Sequence, residues 1–100
     1  MNSDRANTAD ARAVTRHDDR GRYELRIDGD VVSFAVFSER DGTVTIPHIE
    51  TDVRHRGNGY AAMLMDGVID DLRTRTVLVR ATCPVAHAHL VSHAPELLVR

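Results

Sequence analysis

The chain has 100 residues, 42% of them apolar and 28% charged, with a formal net charge of −2 when the histidines are neutral. That length suits one domain with a modest core, and the charge gives no general attraction to nucleic acid. No apolar run is long enough to span a membrane and the polar start MNSDRANTADAR lacks a signal-peptide core, so a cytoplasmic location is expected.

Residues 1–12 are polar and charged without hydrophobic period and read as a loosely ordered arm, leaving one domain over residues 13–100. AVTR is expected as a short edge strand and HDDRG as a turn. In RYELRID, Tyr23, Leu25 and Ile27 alternate with Glu24, Arg26 and Asp28, the period of a half-buried strand. DGD gives a hairpin turn at Gly29. VVSFAVFS is apolar on both faces and predicts a strand inside the sheet, covered on each side. A second hairpin turn follows at Asp41-Gly42. VTIPHIET is the next strand, and Pro47, which lacks a ladder donor, predicts a bulge or a break in pairing.

A helix is predicted after the VRHRGNG turn. Ala61, Leu64, Met65, Val68 and Leu72 share one face, with Asp66, Asp70 and Arg73 on the other. Gly67 inside it costs about 1 kcal/mol relative to alanine. TVLVRAT reads as a buried strand stopped by Pro84, and VAHAHLVSH as a short helix ending before Pro95. The order of strands, helix, strand and helix predicts an α+β (mixed α/β) domain.

Two glycines flanked by arginines, between a strand and a helix start, make a ready anion site. The first backbone N–H groups of a helix are unpaired, its dipole favours negative charge, and glycine lets a phosphate approach closely. A plain connector is the competing reading, because short glycine motifs are weak evidence. A Walker loop is excluded, since all 13 basic residues are arginine and none is lysine. The dinucleotide pattern is unmatched, because Ala62 stands where its third glycine would fall.

Arg56-Gly57-Asn58-Gly59-Tyr60-Ala61 does fit R-x-x-G-x-A. It resembles the acetyl-CoA pyrophosphate loop of the GNAT acetyltransferase superfamily. PHIETDVRHRGNGYA, VRATCPV and SHAPELL together are similar to its short stand-alone N-acetyltransferases, over about Tyr23 to Val99. The resemblance implies a compact, mostly antiparallel sheet splayed at the cofactor slot, with two main helices. It implies an enzyme that moves acetyl from acetyl-CoA to an amine. The amides from Arg56 to Ala61 would hold the pyrophosphate, with Thr51, Asp52, Val53 and Arg54 leading into that turn on the cofactor side. Two departures are visible: HAPELL, where the family has proline straight after histidine, and HIET, where it has threonine and glutamate directly after histidine.

Acetyl transfer needs a deprotonated amine, stabilisation of the oxyanion and protonation of the leaving thiolate. His48 is a candidate base on the strand beside the implied slot, and Glu50, two residues on, shares its face. Cys83, the single cysteine, stands before a helix start, where thiolate chemistry is favoured; no internal disulfide is possible. Each has a plainer reading, His48 as a strand histidine satisfied by backbone and Cys83 as a small buried hydrophobe. Cys83, His87, His89 and His93 suggest zinc superficially, but on a helix His87 points about 200° from His89, so no metal is expected. His17 and His55 read as surface residues. The expected partner is an amine acceptor, small molecule or protein, with no nucleic acid and no membrane, and the protein itself is expected to be a monomer or weak homodimer. A CoA-binding or interaction module without efficient turnover is the alternative.

Overall fold

The computed structural model describes residues 12–99. The arm expected over residues 1–12 lies outside the described residues, apart from Arg12, which opens the first strand. Five strands form one sheet in chain order: β1 Arg12–His17, β2 Arg22–Ile27, β3 Asp30–Arg40, β4 Thr43–Thr51 and β5 Leu78–Ala81. The first four are antiparallel neighbours, and β5 runs parallel to β4. Asp28-Gly29 and Asp41-Gly42 close two-residue hairpins with positive φ at both positions, a turn whose twist matches the flanking strands. A parallel neighbour requires a crossover, which α1, Tyr60–Arg75, supplies. α2, Pro84–His93, follows β5, with Pro84 in its first turn. This is the expected α+β class, mostly antiparallel with two main helices.

Both helices lie on one face of the sheet. Tyr23, Leu25, Ala35, Val44, Ile46 and Val79 from the strands are buried there against Leu64, Met65, Val68 and Leu72 of α1 and Leu90 of α2. Asp71 fastens the helix to the sheet's first edge. Its carboxylate accepts from the Tyr23 hydroxyl at 2.6 Å and from Arg75 Nε at 2.7 Å, while Arg16 Nη1 donates to the Tyr23 oxygen at 3.2 Å. Burial and then the Asp71 carboxylate push the Tyr23 hydroxyl up to about 12.

The expectation that β3 is covered on both faces is corrected. Phe34 and Val36 point away from the helices and are only half-buried, and the cover over Phe34 is the Arg22 guanidinium, 4.5 Å from the ring centroid. An arginine stem can shield apolar surface while its charged end stays wet, so an apolar strand face did not require a second layer. β5 is corrected likewise, since Leu78 and Arg80 on that open face are exposed and only Val79 is fully buried.

Gly67 has a packing cause that its helix pattern concealed. A Cβ at this position would lie 2.5 Å from Val14 Cβ, so β1 rests directly on the α1 backbone. Gly67→Ala gains about 1 kcal/mol of helix propensity but is expected to destabilise, because overpacking typically costs about 1–3 kcal/mol. Urea unfolding of Gly67→Ala, Val14→Gly and the double variant should show the pair to be less harmful than the two changes added. Simple additivity would mean that this contact is not the reason for glycine.

Candidate active site

The site begins where β5 ends and β4 runs on past it. Their pairing runs from Thr43 and Leu78 to Ile46 and Ala81 and ends there. At the same place the ladder between β3 and β4 slips: Val36 faces His48, whereas Ser38 faces Thr45, so β4 carries one extra residue around Ile46 and Pro47. Pro47 has no N–H to offer either neighbour. The Ile46 carbonyl instead accepts from the amides of Thr82 and Cys83 at 3.1 and 3.3 Å, as the chain turns into α2. The bulge predicted at Pro47 is present; β5 ends beside it at Ala81, with all four of its residues paired, and β4 runs on without that neighbour.

Beyond the bulge β4 carries His48, Glu50 and Thr51. His48 and Glu50 point to the open face, and Nε2 of His48 lies 3.2 Å from Oε1 of Glu50. The Phe34 ring meets His48 edge-on, with centroids 6.3 Å apart. A cavity of about 400 Å³ opens alongside, lined by Arg22, Phe34, Glu50, Thr51, Asp52, Val53 and Arg56 among others.

The chain then enters the glycine turn. Asp52 caps a short 3-10 helix, Val53–His55, by accepting the Arg54 N–H at 2.9 Å, and the Arg54 guanidinium folds back onto the same carboxylate at 2.9 Å. Those hydrogen bonds hold the Asp52 carboxyl far below the usual carboxylate range. Arg54 is thus engaged within the turn, and it is Arg56 that lines the cavity. Asn58 Nδ2 donates to the His55 carbonyl at 3.0 Å and closes the loop. Gly57 and Gly59 have φ of 85° and 75°, and a Cβ on either would meet nothing within 4 Å. Gly59 is the N-cap of α1, with no side-chain cap and no acidic residue in the first turn. The helix ladder starts with Met63 N–H on the Gly59 carbonyl, which leaves the amides of Tyr60, Ala61 and Ala62 without helical partners.

Cys83 stands apart from this cavity. It is 8% exposed, belongs to the helix-side core and occupies the N-cap of α2 without a side-chain hydrogen bond. The structure therefore places His48 and Glu50 together and runs Thr51 to Ala61 on from them, while the Cys83 amide meets β4 at the Ile46 carbonyl. The histidines of α2 separate as their spacing predicts. His89 and His93 stack at 4.1 Å and His89 Nε2 lies 2.7 Å from Asp66, while His87 lines a different cavity beside Arg80. Among the described residues, no three potential ligands converge as a metal site.

Sequence reasoning missed the open face beside Glu50. Glu24 has no exposed surface although it lies on the face without helices. Arg22 Nε, Arg26 Nη2 and Arg20 Nη1 donate to its carboxylate at 2.8, 3.0 and 3.2 Å. His17 is corrected from a surface residue: its Nε2 is buried, 3.1 Å from Glu24 Oε1 but not aligned for a hydrogen bond. The R-x-E-x-R alternation of Arg22, Glu24 and Arg26 was the available signal, since it puts all three on one face.

A family model described as GCN5-related N-acetyl-transferase matches residues 22–97. Ard1 from Thermoplasma volcanium is similar at 28% identity over 61% of this chain and 43% of its own, with a TM-score of 0.53. The chain thus spans less than half of that protein. A GCN5-like protein of Staphylococcus aureus superposes with a TM-score of 0.59 at 13% identity, covering 87% of both chains. The ribosomal-protein-alanine N-acetyltransferase of Brucella melitensis biovar Abortus 2308 gives 0.52 at 22% identity, over 83% of this chain and 64% of its own. These last two share the fold. Curated protein sequences give no significant match. No helix among the described residues is long and apolar enough to cross a membrane.

Proposed function

The chain belongs to the GCN5-related N-acetyltransferase family, and from that premise we propose that it transfers an acetyl group from acetyl-CoA to an amine where β4 runs on past the end of β5. The observation that carries the reading is the continuity of the site. One strand runs from the bulge at Pro47 through His48 and Glu50 into a turn whose two glycines face open space just before the unpaired amides of α1.

The residues present fit acetyl-CoA. The amides of Tyr60, Ala61 and Ala62 and the backbone at Gly57 and Gly59 offer a phosphate donors that no side chain crowds, at the positive end of the α1 dipole. Arg56 adds charge beside them. When bound, acetyl-CoA supplies an activated thioester carbonyl. An unprotonated amine must reach it from the open face, where no helix blocks the approach. Glu50, or Glu50 with His48, is placed to accept the proton that the amine loses as its C–N bond forms. The C–S bond breaks, and a proton returns to the CoA sulfur.

The burial of Cys83 favours direct attack by the amine over an acetyl-cysteine. A covalent route would acylate the enzyme without acceptor. The expected result of rapid-quench mixing with labelled acetyl-CoA alone is no protein-bound label above background, and Cys83→Ala should change kcat little. A stoichiometric burst of label on Cys83 would overturn direct transfer. Thermal melts test the premise. At about 100 times its Kd, acetyl-CoA should add about 2.7 kcal/mol of stability, and no shift at millimolar ligand would sink the cofactor reading. A shift without turnover of any amine would leave a binding module.

A further inference from the structure

The cavity on the open face has more chemistry than acetyl transfer needs. Its floor is Phe34, Glu50 stands at one side, and arginines enter from two directions, Arg22 from β2 and Arg56 from the glycine turn. Arg22 is fixed from two sides, its guanidinium over the Phe34 ring at 4.5 Å and its Nε on Glu24 at 2.8 Å. Glu24 does not neutralise its surroundings, because Arg20, Arg22 and Arg26 share that one carboxylate. The cluster therefore stays cationic, and with Nε and Nη2 of Arg22 both on Glu24, its Nη1 is left for a ligand in the cavity that Arg22 lines.

We propose that this cavity is the acceptor site and selects a small amine that also carries an anionic group, carboxylate or phosphate. The anion is held by Arg22 and the amine lies towards Glu50 and His48. Three points fix the class. The volume of about 400 Å³ is that of a small-molecule site. Arginine presents a planar fork suited to carboxylate and phosphate. The register sets the span, since Phe34, beneath the Arg22 guanidinium, faces Glu50 on the next strand. Strands lie about 4.8 Å apart, so only a short linker separates amine and anion. The proposal rests on the acetyltransferase reading for the role of the amine, while its binding test does not.

The test is a two-dimensional ¹⁵N NMR titration of the full chain with matched pairs. The pairs are 4-aminobutyrate and 6-aminohexanoate against their amides, and 3-aminopropyl phosphate against 3-aminopropanol. The expected result is shifts at Arg22, Phe34 and Glu50, with an anionic member binding about 10-fold or more tightly than its neutral partner. The carboxylate and phosphate arms show which anion is preferred. Arg22→Gln should remove the discrimination. Should that variant fail to fold, Arg22→Lys keeps the charge and should retain part of it. Equal binding of acid and amide, or shifts confined to other residues, would overturn the proposal. Titrating acetyl-CoA into the same sample separates the two readings. Shifts at Gly57 to Ala61 with no response to the acids would sink this proposal alone, and the reverse pattern would sink the cofactor reading alone.

Discussion

Glu24→Ala is expected to destabilise the protein by about 3 kcal/mol, the low end of the range for removing one partner of a buried ion pair. The carboxylate has no exposed surface and accepts from three arginines at 2.8–3.2 Å. Without it, Arg20, Arg22 and Arg26 face each other across β2 with nothing between them. The arginine side chains are 32–50% exposed, so water can reach them, and the loss stays near that lower bound. The same carboxylate makes stability depend on pH. Burial alone would raise the Glu24 carboxyl, but the Arg22 and Arg26 hydrogen bonds and the His17 charge outweigh it and leave it below its ordinary 4.5. A carboxyl depressed by folding adds stability that is present above its unfolded value and lost as pH falls through the folded one. Urea midpoints measured from neutrality down into the acid range should fall below about 4.5, and Glu24→Gln should flatten that limb. Parallel acid limbs in the two proteins would show that other carboxyls carry the effect.

How much of this fold is legible in the sequence depends on which signals are local. The hairpins at Asp28-Gly29 and Asp41-Gly42, the period of α1 and the stop at Pro84 are each written in a few adjacent residues, and all stand where they were expected. Pro47 belongs with them, because a missing N–H disturbs pairing whatever the partner strand is. The face that meets solvent is not local. VVSFAVFS alternates between a helix-covered side and one shielded by Arg22, and no count of apolar residues distinguishes a helix from an arginine stem. Register is not local either. β2 and β3 slip between Leu25 and Arg26, and β3 and β4 slip between Val36 and Ser38. The row Glu24, Phe34, Glu50 therefore exists only once both slips are known. Gly67 looked like a weak point in a helix because the Val14 that requires it lies 53 residues earlier in the chain.

Gly59→Asn is expected to keep the fold and lose most of its affinity for acetyl-CoA. The argument turns on what the protein itself demands at this position. Gly59 has φ of 75° and a Cβ there would touch nothing within 4 Å, so the backbone conformation is the one internal constraint. Asparagine tolerates that left-handed region better than other side chains and is favoured at helix N-caps. The stability cost should therefore stay below about 1 kcal/mol. Its side chain would nevertheless stand in the open space before the unpaired amides of α1, and its side-chain oxygen would accept from them in place of a phosphate oxygen. Gly59→Val differs in kind, because a β-branched residue at this φ is strained as well as obstructive, and it should lose stability and ligand together. Calorimetric titration with acetyl-CoA alongside urea unfolding reads the two effects separately. The expected pattern is a drop in affinity of at least about tenfold for Gly59→Asn, the equivalent of about 1.4 kcal/mol, with an unfolding midpoint close to that of the unaltered chain. Undiminished binding in a folded Gly59→Asn protein would remove the glycine turn from the cofactor site and return it to a connector between β4 and α1.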